Sequence, residues 1–176
     1  MQEIIVFRYG HRIVRDYRVT SHCSLVARAF GAKKIIVCGE EDTSMKNSVD
    51  DITNRWGGDF KVEFVSDWEK SLKQIKKEGY ILVHLTMYGE ILSNIEKEII
   101  KNEKICIIIG SQKVEAEVYT LSDYNISITN QPHSEIAALA VAMDRLSEGK
   151  ELSATFSNPK KQIIPQKKGK KVIDLK

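Results

Sequence analysis

The sequence predicts an α/β domain built on a mostly parallel sheet flanked by helices. Two observations point there. Short runs rich in Ile and Val, such as EIIVFRYG and KICIIIG, recur along the chain, and segments of helical character separate them. Size and composition agree: 176 residues with 42% hydrophobic and 29% charged side chains suit one soluble domain with a substantial core.

The elements follow in order. Residues 3–10 read as a buried strand ended by Gly10. The stretch GHRIVRDYRVT (10–20) is polar and irregular and reads as a loop. Thr20 or Ser21 then caps a helix over 22–32, with Leu25, Val26, Ala29 and Phe30 on one face and Gly31 as its stop. AKKIIVCG (32–39) is a second strand, and 41–58 a helix capped at Thr43 or Ser44 and stopped by Gly57 and Gly58. A strand at 61–65, a helix at 67–79 and a strand at 80–86 come next. Residues 87–102 read as another helix, 104–110 as a strand, and 111–123 as a short helix or turn. YNISIT (124–129) is the last apolar strand, followed by a helix of about 15 residues. In the tail, KQIIP and KKVID flank Gly169 and predict a small basic hairpin whose Pro165 marks an edge strand.

Charge is unevenly placed. Residues 8–34 carry Arg8, Arg12, Arg15, Arg18, Arg28, Lys33 and Lys34 against Asp16 alone. Residues 160–176 carry seven lysines against Asp174. Two basic blocks around an acidic body suggest a surface for a polyanion, with nucleic acid the favoured partner. Cys23, Cys38 and Cys106 are odd in number and widely spaced, so reduced core thiols are expected in a cytoplasmic chain. No signal peptide or membrane span is read, and neither GxGxxG, GxxxxGK[ST], HExxH nor clustered metal ligands occur.

In an open parallel sheet, ligands bind outside the carboxyl ends of the strands, and three such ends are chemically unusual here. VHLTMYG (83–89) runs from His84, expected to be a core residue, to a turn at Gly89. IIIGSQKVEAEVY (107–119) runs straight into Gly110, which allows close backbone approach. In NQPHSE (130–135), Pro132 fixes φ while Asn130, Gln131, His133 and Ser134 supply donors and acceptors. Capping by Ser134 and Glu135 explains one or two of these residues; a rigid loop for a small polar ligand explains the cluster.

Together with RYGHRIVRDYRVTSHCSLVARAFGA (8–32), these stretches resemble the archaeal tRNA (cytidine(56)-2′-O)-methyltransferase family, within the SPOUT superfamily of knotted methyltransferases. The resemblance covers nearly the whole chain. It implies a C-terminal deep trefoil knot, a domain over 1–150 with its closing helix, and a basic β-hairpin extension over 151–176. It implies S-adenosyl-L-methionine as cofactor, tRNA as substrate, and a homodimer with its active site near the subunit interface. Carried over residue by residue, the cofactor positions are Leu85, Gly110, Ser111, Gln112, Lys113, Val114, Ile128, Thr129, Asn130, Gln131, Pro132, His133, Ser134 and Glu135. Related ribose methyltransferases place an arginine six residues before the glycine that ends the first helix, but here that slot holds Leu25. Arg18 is therefore the first choice as catalytic residue, with Arg15 and Arg12 behind it. Proton removal from the ribose hydroxyl falls to an arginine, to phosphate-assisted transfer, or to His22 or His133. The competing reading is a non-catalytic tRNA-binding protein on the same scaffold.

Overall fold

The computed structural model describes residues 2–110 and 113–175. Its chain order is β1 (Glu3–His11), α1 (Ile13–Ala29), β2 (Lys34–Gly39), α2 (Thr43–Trp56), β3 (Lys61–Val65), α3 (Trp68–Lys77), β4 (Ile81–Ile91) and α4 (Leu92–Ile99). Then come β5 (Lys104–Gly110), α5 (Ala116–Leu121), β6 (Tyr124–Ser127), α6 (Glu135–Leu146), a 3-10 turn (Lys150–Ser153), β7 (Lys161–Ile163) and β8 (Val172–Asp174). The first six strands form one parallel sheet in the order β3-β2-β1-β5-β4-β6.

The central strands are near-continuously apolar because helices cover both faces. Ile4 and Val6 of β1, with Ile105, Ile107 and Ile109 of β5, pack under residues of α1, α2, α4 and α6. Their neighbours Ile5, Phe7, Cys106 and Ile108 face the other way, onto Leu72 and Ile75 of α3 and Val118 of α5. All three cysteines are free and buried.

The structure corrects the sequence reading at two places. Residues 13–20 are the first half of α1, not a loop, and neither Thr20 nor Ser21 caps it. Asp16 stabilises this start, its Oδ2 accepting from the Arg12 amide at 3.1 Å and from Arg12 Nε at 3.0 Å. The outward face hides the helical pattern, because Val14 there is wholly exposed. The second correction concerns residues 87–91, which belong to β4 and not to a helix. Leu85 and Glu90 both align with Ile126 of β6, so residues 86–89 loop out between them. Gly89 makes this possible: a Cβ there would lie 2.5 Å from the Asn125 carbonyl and the Ile126 nitrogen. Smaller differences are that Asp42 caps α2, accepting from the Met45 amide at 2.9 Å, and that β6 ends at Ser127.

The hairpin forms as expected, β7 and β8 pairing antiparallel, with Gly169 at φ +91° in the connection. The segment before it is seated on the domain. Gly58 N donates to Ser157 O at 2.8 Å and Lys160 N to Arg55 O at 3.0 Å. Arg28 reaches across from α1, donating to Gly57 O at 2.6 Å with its guanidinium 5.0 Å from the Phe156 ring centre. The N-terminal basic block is therefore not one surface. Arg8 and Arg28 are buried, while Lys33 and Lys34 pair with Glu3 and Glu63 at the start of β2. Of that block, Arg12, Arg15 and Arg18 remain together, at the N-cap and in the first half of α1.

Candidate functional site

At the carboxyl ends of β4, β5 and β6 the chain encloses a cleft of about 630 Å³. Three turns build it. The first follows β5: Ile109, Gly110, Lys113 and Val114 form one wall, continued by Ala116 and Tyr119 of α5. The second is the looped-out part of β4, contributing His84, Leu85, Thr86, Met87 and Tyr88. The third is the β6–α6 connection, contributing Ile128, His133 and Glu135, with Ala138 one turn into the helix.

Side-chain bonds lock these turns together. Asn130 Nδ2 donates to Met87 O at 2.8 Å, joining the third turn to the second. Thr86 Oγ1 lies 3.0 Å from the Tyr119 hydroxyl, joining the second to α5. Asn125 Nδ2 donates to Tyr119 O at 2.9 Å, so its Oδ1 is the acceptor for His84 Nδ1 at 2.9 Å. His84 thus carries its proton on Nδ1 and presents Nε2 as an acceptor. Burial holds its pKa below the usual histidine value, against the opposing pull of Asn125, and Tyr119 stacks edge-on at 4.7 Å. Below the first turn, Tyr9 donates to Glu115 at 3.1 Å; burial and that carboxylate push the phenol up to about 12.

Six residues expected from the sequence to hold a cofactor line the cleft besides Leu85: Gly110, Lys113, Val114, Ile128, His133 and Glu135. Ser111 and Gln112 lie outside the described residues. The others act behind the wall. Ser134 accepts from Ile136 N at 3.2 Å as the cap of α6, and Thr129 Oγ1 accepts from Gln131 N at 3.3 Å. The Gln131 carbonyl meets His133 Nδ1 at 2.7 Å, Asn130 is the strut to Met87, and Pro132 stiffens the bend. Arg12, Arg15, Arg18 and His22 do not line the cleft of their own chain. The sequence reading missed His84, which it took for a core residue, and Ile109, Thr86, Met87, Tyr88, Ala116, Tyr119 and Ala138. Thr86, Met87 and Tyr88 lay inside a quoted string, and the loop-out that turns them inward was legible only as Gly89.

The lining suits a nucleoside-bearing cation. Its walls are largely apolar, its polar groups few and convergent, and Glu135 is the one acidic residue among the described lining. Among the described residues no group of three or more potential metal ligands occurs, and no helix is long and apolar enough to cross a membrane.

Comparison with known proteins adds findings of three kinds. A family model described as tRNA ribose 2′-O-methyltransferase, aTrm56, matches residues 56–173. The tRNA (cytidine(56)-2′-O)-methyltransferase of Thermococcus kodakarensis is 50% identical over 98% of this chain and 97% of its own length. Among solved structures, the A. aeolicus TrmH/SpoU tRNA modifying enzyme superposes with a TM-score of 0.66 at 14% identity, covering 86% of this chain and 77% of that one. The SpoU methyltransferase AviRb from Streptomyces viridochromogenes, solved with AdoMet, gives 0.62 at 15%, covering 87% of this chain and 59% of that one. At such identities the solved structures speak for the fold alone.

Proposed function

The chain belongs to the tRNA ribose 2′-O-methyltransferase family, and from that premise we propose that it methylates the ribose 2′-oxygen of cytidine 56, in the T-loop of tRNA, using S-adenosyl-L-methionine. The observation that carries the reading is half-identity to the Thermococcus enzyme over nearly full length, joined to a cleft where the matching strings converge. The fold this implies is a deep trefoil knot. The strut from Asn130 to Met87 and the press of Gly89 on Asn125 and Ile126 support it, since they hold the 86–89 loop against β6 and the turn that follows it. Its two parts are the domain over 1–150 and the extension over 151–176.

When bound, S-adenosylmethionine supplies a methyl group on an electrophilic sulfonium. The chain's own residues provide the rest. Gly110, Lys113, Val114, Leu85, Ile128 and His133 hold the cofactor against apolar walls, with Glu135 as counter-charge. A ribose hydroxyl is a weak nucleophile and must surrender its proton; Arg18, with Arg15 and Arg12, orients the RNA phosphate or ribose beside it. His133 on the cleft rim and His22 on α1 are the imidazoles available to take that proton.

Those arginines do not line the cleft of their own chain, and in the proposed homodimer a second copy brings them to it. The same half of α1 exposes Val14 completely, Ile13 to 41% and Tyr17 to 39%, and α6, packed beside it, exposes Val141 to 42%. Apolar surface of this kind, next to arginines, fits a homodimer in which α1 of one subunit faces the cleft of the other. Buried free thiols fit a cytoplasmic enzyme.

The test is incubation with labelled S-adenosylmethionine and unmodified tRNA, followed by nucleotide mapping. One methyl on the 2′-oxygen of cytidine 56 is expected. No incorporation across salt and temperature, or a methyl on another nucleotide, overturns the reading. Calorimetry with S-adenosylhomocysteine separates it from a plain tRNA binder, which has no use for that ligand.

A further inference from the structure

One charged side chain takes no part in the site described so far, yet touches it from beneath. Arg8 stands near the carboxyl end of β1, on the face covered by α1 and α6, and is 0% exposed. Its Nη2 lies 2.8 Å from Glu135 Oε1, and Glu135 is the acidic residue of the cleft. Its Nε reaches Thr20 Oγ1 on α1 at 3.4 Å, and that hydroxyl is also 2.9 Å from His11 Nδ1. Despite the short ionic contact, neither Nη1 nor Nη2 donates a well-aligned hydrogen bond to a described residue.

Burying a guanidinium is expensive, and leaving its donors under-used makes it more so. An apolar side chain would fill the space between β1 and α1 at lower cost. What an apolar residue cannot do is fix a carboxylate. Glu135 is the first residue of α6, where a free carboxylate would swing toward its own helix amides or into water. The Arg8 contact draws it down against the sheet, at the cleft wall, with its side chain 30% exposed. The Thr20 contact couples the same guanidinium to the helix that carries Arg12, Arg15 and Arg18.

We propose that Arg8 is a positioning residue of the methyl-transfer site, holding Glu135 as a fixed anion on the cleft wall and tying that wall, through Thr20, to α1. The inference rests on the cofactor reading above. S-adenosylmethionine has a net charge of +1, from sulfonium and ammonium against one carboxylate, whereas S-adenosylhomocysteine is net neutral. The fully buried Arg8 offsets part of this charge, as does Lys113 in the lining, so the preference for the first ligand over the second comes from where the part-exposed carboxylate is held, and losing it or letting it wander narrows the difference.

Calorimetry of both ligands, without RNA, tests this on wild type, Arg8→Met, Arg8→Lys, Glu135→Gln and the double variant Arg8→Met/Glu135→Gln. In Arg8→Met and Glu135→Gln, S-adenosylmethionine should weaken about tenfold and S-adenosylhomocysteine by about threefold or less. The double variant should be no worse than either single one, because the two residues act as a unit, and Arg8→Lys should recover part of the loss. Equal weakening of both ligands, or wild-type affinity for both in Glu135→Gln and Arg8→Met, overturns the proposal and leaves the cofactor reading intact. If Arg8→Met does not fold, Arg8→Lys decides: a selective weakening of S-adenosylmethionine smaller than that of Glu135→Gln supports the proposal, and wild-type affinity for both ligands overturns it. Wild-type protein that binds neither ligand overturns both.

Discussion

The cleft and the outer face of α1 lie at the same edge of the sheet but differ in how finished they are. Around the cleft, Asn130, Thr86, Tyr119, Asn125 and His84 each have a partner, and backbone meets backbone at Gly89 without room for a methyl group. On α1, Val14 lies wholly in the open beside arginines whose partners among the described residues amount to Asp16 for Arg12. The lesson is a division of labour. Under the proposed function, one chain supplies the cofactor's seat, and a second copy together with the RNA would cover the α1 face.

The largest expected break falls on the unfinished side. Arg18→Ala should lower single-turnover methylation by about 10²- to 10³-fold, with S-adenosylhomocysteine affinity unchanged by calorimetry. Near-normal turnover would move the catalytic role to Arg15 or Arg12. On the finished side, Gly89→Val should cost about 3 kcal/mol in denaturant unfolding and abolish cofactor binding, since the new side chain meets main chain that cannot step aside. A variant that binds normally would show that the 86–89 loop is not clamped.

Val14→Asp addresses the comparison itself. It should halve the mass seen by analytical ultracentrifugation at micromolar concentration and reduce methylation at least tenfold, leaving cofactor affinity within about twofold. Wild-type protein sedimenting as a monomer would remove the reason given for the exposed α1 face. A smaller effect is expected at the hairpin. Replacing Lys167, Lys168, Lys170 and Lys171 with Gln should shallow the salt dependence of tRNA binding by about one unit of slope per lost phosphate contact, with turnover at saturating tRNA preserved. An unchanged slope would assign those lysines to solubility.

The smallest effect is a pH dependence. Burial lowers the pKa of His84 and of His11, so both stay neutral in the fold while the unfolded chain takes up protons below its ordinary value of 6.5. Stability is then complete above pH 6.5 and declines as pH falls through that value toward the lower folded pKa. Thermal midpoints should drop between pH 7 and pH 5, and His84→Gln should flatten part of that drop. A midpoint that rises on acidification would show that these rings are charged in the fold.

Much of this architecture was legible because it depends on local pattern. The apolar runs at 3–10 and 104–110 became central strands, and Gly169 between two β-prone pieces became a hairpin. The turns after Ile109 and after Thr129 were legible as breaks where apolar sequence stops without an ordinary loop, and they do face one another across the cleft. What escaped was set by partners distant in sequence. Residues 13–20 looked irregular because their helix turns apolar and arginine side chains outward together, which no single-chain amphipathic pattern describes. Residues 87–91 have fair helical spacing, but pairing with β6 overrides it. Arg8 and Arg28 counted as surface charge in the sequence, and only tertiary packing shows that both are interior struts.

The most direct check on the account is a crystal structure of the protein with S-adenosylhomocysteine. The adenosine should lie between the Gly110 turn and the stretch from Ile128 to Glu135, with Leu85 on a third side. Adenosine bound elsewhere, or a cleft too narrow to admit it, would contradict the claim that these turns form the cofactor's seat.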